Sequence, residues 1–178
     1  MAEKKSNKVV LYDMPIYYAR LHPDRPNTHW DRPAWEVSIK IDKADKALIK
    51  ELKADGIKLT PKYNKDNEDQ EVVDYYGKTF RKYVESSNGD TLSPPRVLTP
   101  RNKPMELDLV GKIGNGSIAN ISLSKLPSMK NKGEFTFFLN AVQIMKLKIY
   151  ENNYEEDFEE IDEDLEIIED EENVEFDD

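Results

Sequence analysis

The chain has 178 residues, 26 basic and 36 acidic, and a formal net charge of −10. That total joins two unlike parts: residues 1–150 carry all 26 basic and 19 acidic residues, a balance of +7, whereas residues 151–178 carry 17 acidic residues and no Lys, Arg or His. The absence of Cys excludes disulfides, thiolate metal sites and Cys nucleophiles, and the lack of a long apolar run gives no membrane span or signal-peptide core, so a soluble, unexported protein is expected.

About 150 residues make one ordinary domain able to bury a core without cross-links, and no internal repeat is visible. The expected organisation is therefore a folded domain over 1–150 and an acidic tail over 151–178. Val9 to Leu11 and Ile16 to Leu21 read as short extended segments separated by Pro15. Beyond Pro23, Pro26 and Pro33, the alternation of Trp35, Val37, Ile39 and Ile41 with Glu36, Ser38 and Lys40 is the clearest strand, its apolar set facing a core. Asp42 stands where a helix N-cap belongs, and Ala44, Ala47, Leu48, Ile49 and Leu52 form one helix face that Gly56 stops.

Tyr63 to Glu71 is polar and reads as a loop. Lys78 to Val84 alternates again, Phe80 and Val84 against Thr79, Arg81 and Tyr83, and Ser86 to Asp90 is a turn. Arg96 to Leu98, Leu107 to Val110, Ser117 to Leu126 and Glu134 to Ile149 complete a β-rich set. In the last, Phe135, Phe137 and Leu139 fall on odd positions but Val142 and Ile144 on even ones, which predicts a bulge near Asn140 and Ala141. Gly114-Asn115-Gly116 suits a tight hairpin turn. The expected fold is mainly β: five or six strands and one intervening helix in a small closed or partly open barrel.

Signatures of catalysis are weak. Gly77-Lys78-Thr79 lacks the upstream Gly of a phosphate-binding loop and lies in a strand pattern, and Gly114-Asn115-Gly116 enters a strand rather than a helix. His22 and His29 offer two ligands where a metal needs three or four. No enzyme, metal or cofactor is therefore expected. Basic and aromatic residues are instead interleaved, as in Tyr17-Tyr18-Ala19-Arg20, Trp30-Asp31-Arg32 and Lys78 to Tyr83. Positive charge tracks phosphates, and aromatic faces stack bases for roughly 1–3 kcal/mol each, so single-stranded nucleic acid suits this mixture. Alternation assigns Trp35, Phe80, Phe135 and Phe137 to the core, leaving Arg81 and Tyr83 as better contacts, with Lys125, Lys130 and Lys132 flanking a loop between two strands.

The tail combines a charge run with an apolar stripe: Tyr154, Phe158, Ile161, Leu165 and Ile168 are spaced 4, 3, 4 and 3, and Val174 and Phe176 follow. Self-repulsion keeps such a segment flexible when free, and the stripe suits a transient helix on a basic partner groove.

A basic β-barrel followed by an acidic tail containing aromatics resembles the single-stranded DNA-binding proteins of short-tailed phages. The resemblance runs in order through Met14-Pro15-Ile16-Tyr17-Tyr18-Ala19, Trp35 to Lys40, Lys78 to Ser86, Thr99 to Met105, Gly114 to Ser117, the strand to Leu126-Pro127, and Ala141 to Leu147. It implies an oligonucleotide-binding (OB) fold, sequence-tolerant binding of single strands, a role in DNA replication, recombination and repair in the cytoplasm of a bacterial host, a homodimer, and a tail that docks on the replicative DNA polymerase and the helicase-primase. Where members carry an aromatic after the Pro matching Pro127, this chain has Ser128, and where they end on an aromatic, Phe176 is followed by Asp177 and Asp178. The expected DNA contacts are Arg32, Lys78, Arg81, Lys82, Tyr83, Arg101, Lys103, Lys112, Lys125, Lys130 and Lys132, and the expected docking residues are Phe158, Ile161, Leu165, Ile168 and Phe176. The rival reading is a protein-interaction module or chaperone whose acidic tail mimics nucleic acid.

Overall fold

The computed structural model describes residues 7–29, 31–63, 73–150, 161–166 and 168. Its strands are β1 (Lys8–Arg20), β2 (Ala34–Asp42), β3 (Thr60–Tyr63), β4 (Val73–Tyr83), β5 (Arg96–Leu98), β6 (Ser117–Pro127) and β7 (Phe135–Lys146), with helices α1 (Lys46–Ala54) and α2 (Leu107–Val110). The pairings β1–β2, β2–β4, β1–β6 and β6–β7 are antiparallel, and a parallel contact between Arg81 of β4 and Phe138 of β7 closes a five-stranded barrel. β3 extends the sheet beyond β4, and β5 pairs with β7. This closed five-stranded barrel is an OB fold with two additional strands.

Period-two patterning builds the barrel. Val37, Ile39 and Ile41 of β2, Phe80 of β4, Ile121 and Leu123 of β6, and Leu139 and Val142 of β7 are buried in one core. The predicted bulge in β7 is present: Leu123 pairs with Leu139 and Ser122 with Ala141, so Asn140 is the extra residue that switches the inward parity. The Ser86–Asp90 turn also forms, with Gly89 at φ 84°.

β1 is one strand rather than two. β2 pairs with it only from Ile16 onward, so Pro15, next to β6 alone, interrupts no second ladder. Two bulges shape it, each with a residue in the left-handed region: Asp13 at φ 53° and Tyr18 at φ 52°. An asparagine holds each one. The Asp13 N–H donates to Asn120 Oδ1 and the Tyr18 N–H to Asn115 Oδ1, both at 2.8 Å.

The helix begins three residues later than predicted. Asp45 Oδ1 accepts from the Leu48 N–H, whereas Asp42 Oδ1 accepts from the Ala44 N–H in the preceding turn. Gly56 at φ 89° ends it, with Gly56 N–H donating to Lys53 O and Ile57 N–H to Leu52 O. That pair of bonds is a Schellman cap, and Leu52 and Ile57 are both buried beside it.

Leu107 to Val110, predicted as a strand, is a single helical turn in which the Val110 N–H donates to Glu106 O. Four residues are too few for a strand period to be told from a helical one. Gly114-Asn115-Gly116 is a tight turn, but it joins the region after α2 to β6 rather than two strands of a hairpin. Phe135 also departs from its expected core position: it is 43% exposed at the mouth of the barrel, with the Lys125 ammonium 4.2 Å from its ring centroid.

Candidate nucleic-acid interface

The outward face of β1, β2 and β4 is set by the same alternation that builds the core. Because Val37 and Ile39 point inward, Glu36, Ser38 and Lys40 point outward, and register places them opposite Arg81, Thr79 and Gly77. Ser38 Oγ and Thr79 Oγ1 share a hydrogen bond of 2.7 Å at the centre. Toward one end of this face, the Lys40 ammonium lies 4.5, 5.2 and 5.1 Å from the ring centroids of Tyr17, Tyr18 and Tyr75. Toward the other, the Arg32 guanidinium stacks 3.9 Å from the Tyr83 centroid and donates through Nη2 to Glu85 O at 2.9 Å. From Tyr75 to Tyr83 the strand covers about 26 Å at roughly 3.3 Å per residue.

Glu36 is outward by parity yet only 8% exposed, because the loop between β1 and β2 folds across it. Asn27 Nδ2 of that loop donates to Oε1 at 2.6 Å, and Arg81 Nε donates to Oε2 at 2.8 Å. The carboxylate thus ties the loop to β4 and offsets part of the Arg81 charge. Thr60, Lys62 and Tyr75 line the groove beside Lys40, Ser38 and Thr79.

The expected DNA contacts distribute over several regions. Arg32, Arg81 and Tyr83 come together at the loop end of this face. Lys78 and Lys82 share the strand parity of Phe80. Lys78 is half-buried, and burial, followed by the cations Arg81 and Lys58, holds its ammonium below the usual lysine range. Lys82 lines a groove at the β4–β7 seam with Leu92 and Phe138.

Lys130 and Lys132 are exposed on the β6–β7 loop, and Lys125 stands at its base. There Ser128 Oγ accepts from the N–H groups of Lys130 and Asn131, so the residue found in place of an aromatic organises the loop. Lys58 bonds Glu134 at the end of that loop, and this ion pair lowers the Glu134 carboxyl from its ordinary value. Arg101 and Lys103 lie elsewhere. Their turn is pinned to β7 by Gln143 Nε2, which donates to Pro100 O and Asn102 Oδ1, both at 3.0 Å, and β7 is not a neighbour of β2 in the barrel. Lys112 follows α2, its carbonyl accepting from the Tyr150 N–H.

Sequence reasoning did not single out Lys40, Lys62 or Tyr75. The signal for Lys40 was present, since it ends the polar face of the predicted β2. His22 Nδ1 accepts from the Asp24 N–H in a turn, and among the described residues no group of three or more His, Asp or Glu could hold a metal ion. Trp35 is buried and donates from Nε1 to His22 O, whereas Trp30 lies outside the described residues. Of the tail residues, Ile161, Leu165 and Ile168 are exposed and none of the described ones is helical; Tyr154, Phe158, Val174 and Phe176 lie outside the described residues. No described helix is long and apolar enough to cross a membrane.

No protein-family model and no curated protein matches the sequence. Among solved structures, the single-stranded DNA-binding protein from bacteriophage Enc34, in complex with single-stranded DNA, aligns over 83% of this chain and 94% of that one, with a TM-score of 0.50 and 15% identity. The single-stranded DNA-binding protein gp2.5 encoded by bacteriophage T7 aligns over 89% of this chain and 100% of that one, with a TM-score of 0.48 and 18% identity. At these identities the likeness to the Enc34 protein is one of fold, and it agrees with the fold that the sequence resemblance implies.

Proposed function

We propose that this chain is a non-enzymatic single-stranded DNA-binding protein of a phage replication and recombination system, acting in the host cytoplasm. The observation that carries the reading is the outward face of β1, β2 and β4. Tyr17, Tyr18, Tyr75 and Tyr83 accompany Lys40, Arg32 and Arg81 there, on the strand surface by which OB folds hold oligonucleotides. Aromatic faces take bases without regard to sequence, and the cations beside them take phosphates. The structurally similar Enc34 protein was determined in complex with single-stranded DNA, which supports the same assignment.

The tail has two roles in this reading. A random-coil segment of 28 residues would span about 30 Å, enough to reach the barrel's basic surface, where the tail's 17 carboxylates would compete with phosphates. Its apolar stripe, including the exposed Ile161, Leu165 and Ile168, together with Phe158 and Phe176, docks on the replicative polymerase and helicase-primase, and the chain works as a homodimer.

The test is fluorescence anisotropy of labelled oligo-dT with the full chain across a salt series. Binding should fall steeply with salt, and removal of residues 151–178 should tighten it. Among the described residues the buried core lies wholly before residue 151, so that removal is expected to leave the barrel's packing in place. Absence of binding by both forms at low salt would overturn the reading in favour of a protein-interaction module; unchanged affinity on removal would overturn the competition alone.

A further inference from the structure

The β1 edge of the proposed DNA face opens onto a second feature at the barrel end. An open groove of about 450 Å³ lies between the loop after β1 and the segment after α2. Pockets that bury small ligands measure roughly 300–1,000 Å³. Arg20, His22 and Arg25 line one side, Gly111 and Asn115 the other, and Tyr18 and Tyr150 stand at its margins. None of its described lining residues is acidic. Neither Arg20 nor Arg25 forms an ion pair among the described residues, in contrast to Arg81, which is bonded to Glu36.

Both tyrosines are exposed, Tyr18 by 60% and Tyr150 by 59%. Tyr18 reaches the groove because its backbone is in the left-handed region, a costly conformation for a bulky residue, held by the Asn115 side chain from the turn before β6. Tyr150 is fixed through its N–H, which donates to Lys112 O at 2.7 Å, and the adjacent Lys148 O accepts from the Gly114 N–H at 2.7 Å. Arg25 is set against Gly111, where an added Cβ would lie 3.8 Å from Nη1. Hydrogen-bonded backbone thus presents to one cleft two rings and two guanidinium groups that form no ion pair among the described residues.

We infer that this groove is a second nucleotide subsite, in which a base stacks on Tyr150 or Tyr18 and the flanking phosphates are held by Arg20 and Arg25. The inference rests on the proposed binding of single-stranded DNA and lengthens its path. A strand crossing β4 and β2 reaches β1 at Arg20, which pairs in register with Glu36, and passes into the groove beside Tyr18. Guanidinium groups suit this position because their planar donor forks match phosphate oxygens. The subsite is sequence-tolerant, since its walls offer ring faces and charge rather than a fixed set of acceptors for base edges.

The experiment compares the full chain with the Arg20→Gln/Arg25→Gln double variant and with Tyr150→Leu, all surface changes. Each is titrated with oligo-dT of about 4 and about 16 nucleotides, the lower and upper footprints of an OB fold. The double variant should bind the short oligonucleotide as the parent does and the long one more weakly. Its log affinity against log salt should be shallower by about 1.4 for the long one, two phosphates at roughly 0.7 each. Tyr150→Leu should weaken the long oligonucleotide by about 5- to 150-fold, the range of one lost stack. Parent-like binding of both lengths by both variants would overturn the subsite while leaving the proposed function standing, as would an equal loss at both lengths. If the parent itself binds neither oligonucleotide, the proposed function falls first.

Discussion

Glu36 offers a test in which stability and binding move in opposite directions. Its carboxylate is 8% exposed and accepts from Asn27 Nδ2 and Arg81 Nε. In Glu36→Gln one oxygen survives to accept from one of these donors, and an amide NH2 replaces the other. A hydrogen bond to a charged group contributes roughly 1.5–3 kcal/mol, and with the Arg81 side chain 36% exposed the low end applies, about 1.5 kcal/mol. For a domain of this size the melting temperature should fall by about 3–6 °C. The same change removes a negative charge from the proposed DNA face, where Arg81 can then engage a phosphate more fully. One further phosphate contact steepens the salt slope by about 0.7, so the loss of affinity between 50 and 200 mM salt grows by about 2.6-fold. Thermal melts and anisotropy titrations of oligo-dT at both salts read the two effects. Weaker binding at low salt with an unchanged slope would refute the reasoning, because it would mean that Glu36 serves DNA by aiming Arg81 rather than by masking it.

Two further substitutions probe packing and charge. In Gly114→Ala the new Cβ would stand 2.8 Å from Lys148 O and 3.2 Å from the Tyr150 nitrogen, both backbone atoms that cannot rotate away. A destabilisation of about 1–3 kcal/mol is expected for such overpacking, and a melting temperature equal to the parent's would contradict it. Lys78→Met tests the half-buried ammonium. Burial, with Arg81 and Lys58, lowers its pKa below 10.5, so the folded state sheds this proton before the unfolded state does. Between the lowered value and 10.5 the unfolded chain binds more protons, and the contribution of Lys78 to stability rises with pH; below that window the charged form is a constant penalty. The variant should therefore have the higher denaturation midpoint near neutral pH, with its advantage shrinking as pH approaches 10.5. A lower midpoint near neutral pH would show that the ammonium stabilises the fold instead.

The readable parts of this fold are those in which one strand reports its own environment. β2 alternates cleanly because one face meets the core and the other does not, and the parity switch after Leu139 discloses the Asn140 bulge without reference to any partner strand. β3 and the first half of β4 were hidden for the converse reason. Thr60 to Tyr63 is exposed throughout, and Val73 to Tyr76 contains no fully buried residue, so neither segment shows a hydrophobic period. The choice between Asp42 and Asp45 as helix cap turns on one hydrogen bond, and both residues suit the role by type. Phe135 fits the odd-numbered apolar set of β7, but its strand leaves the core at that end, and the exit depends on where Pro127 pairs with it.

The aromatic face was harder to see because it depends on pairing across strands and on one break of parity. Consecutive residues of a regular strand point to opposite sides, so Tyr17 and Tyr18 should divide between the core and the solvent. Instead the Lys40 ammonium lies near both rings, and Ile16 takes the buried position beside them. The left-handed backbone at Tyr18 makes this arrangement, and the acceptor that holds it, Asn115, is 97 residues further along the chain. Asn115 itself is placed by the turn before Ser117, which read locally as hairpin chemistry. Gly116 there donates its N–H to Ile16 O, two residues before the bulge it helps to fix. The residue period of a single strand carries no trace of such a device, since its cause and its effect lie on different segments of the chain. The placement of two adjacent tyrosine rings beside one lysine is thus a property of the β1–β6 junction, and the glycines and asparagine of residues 114–116 belong to the proposed DNA-binding apparatus even though none of them need touch a base.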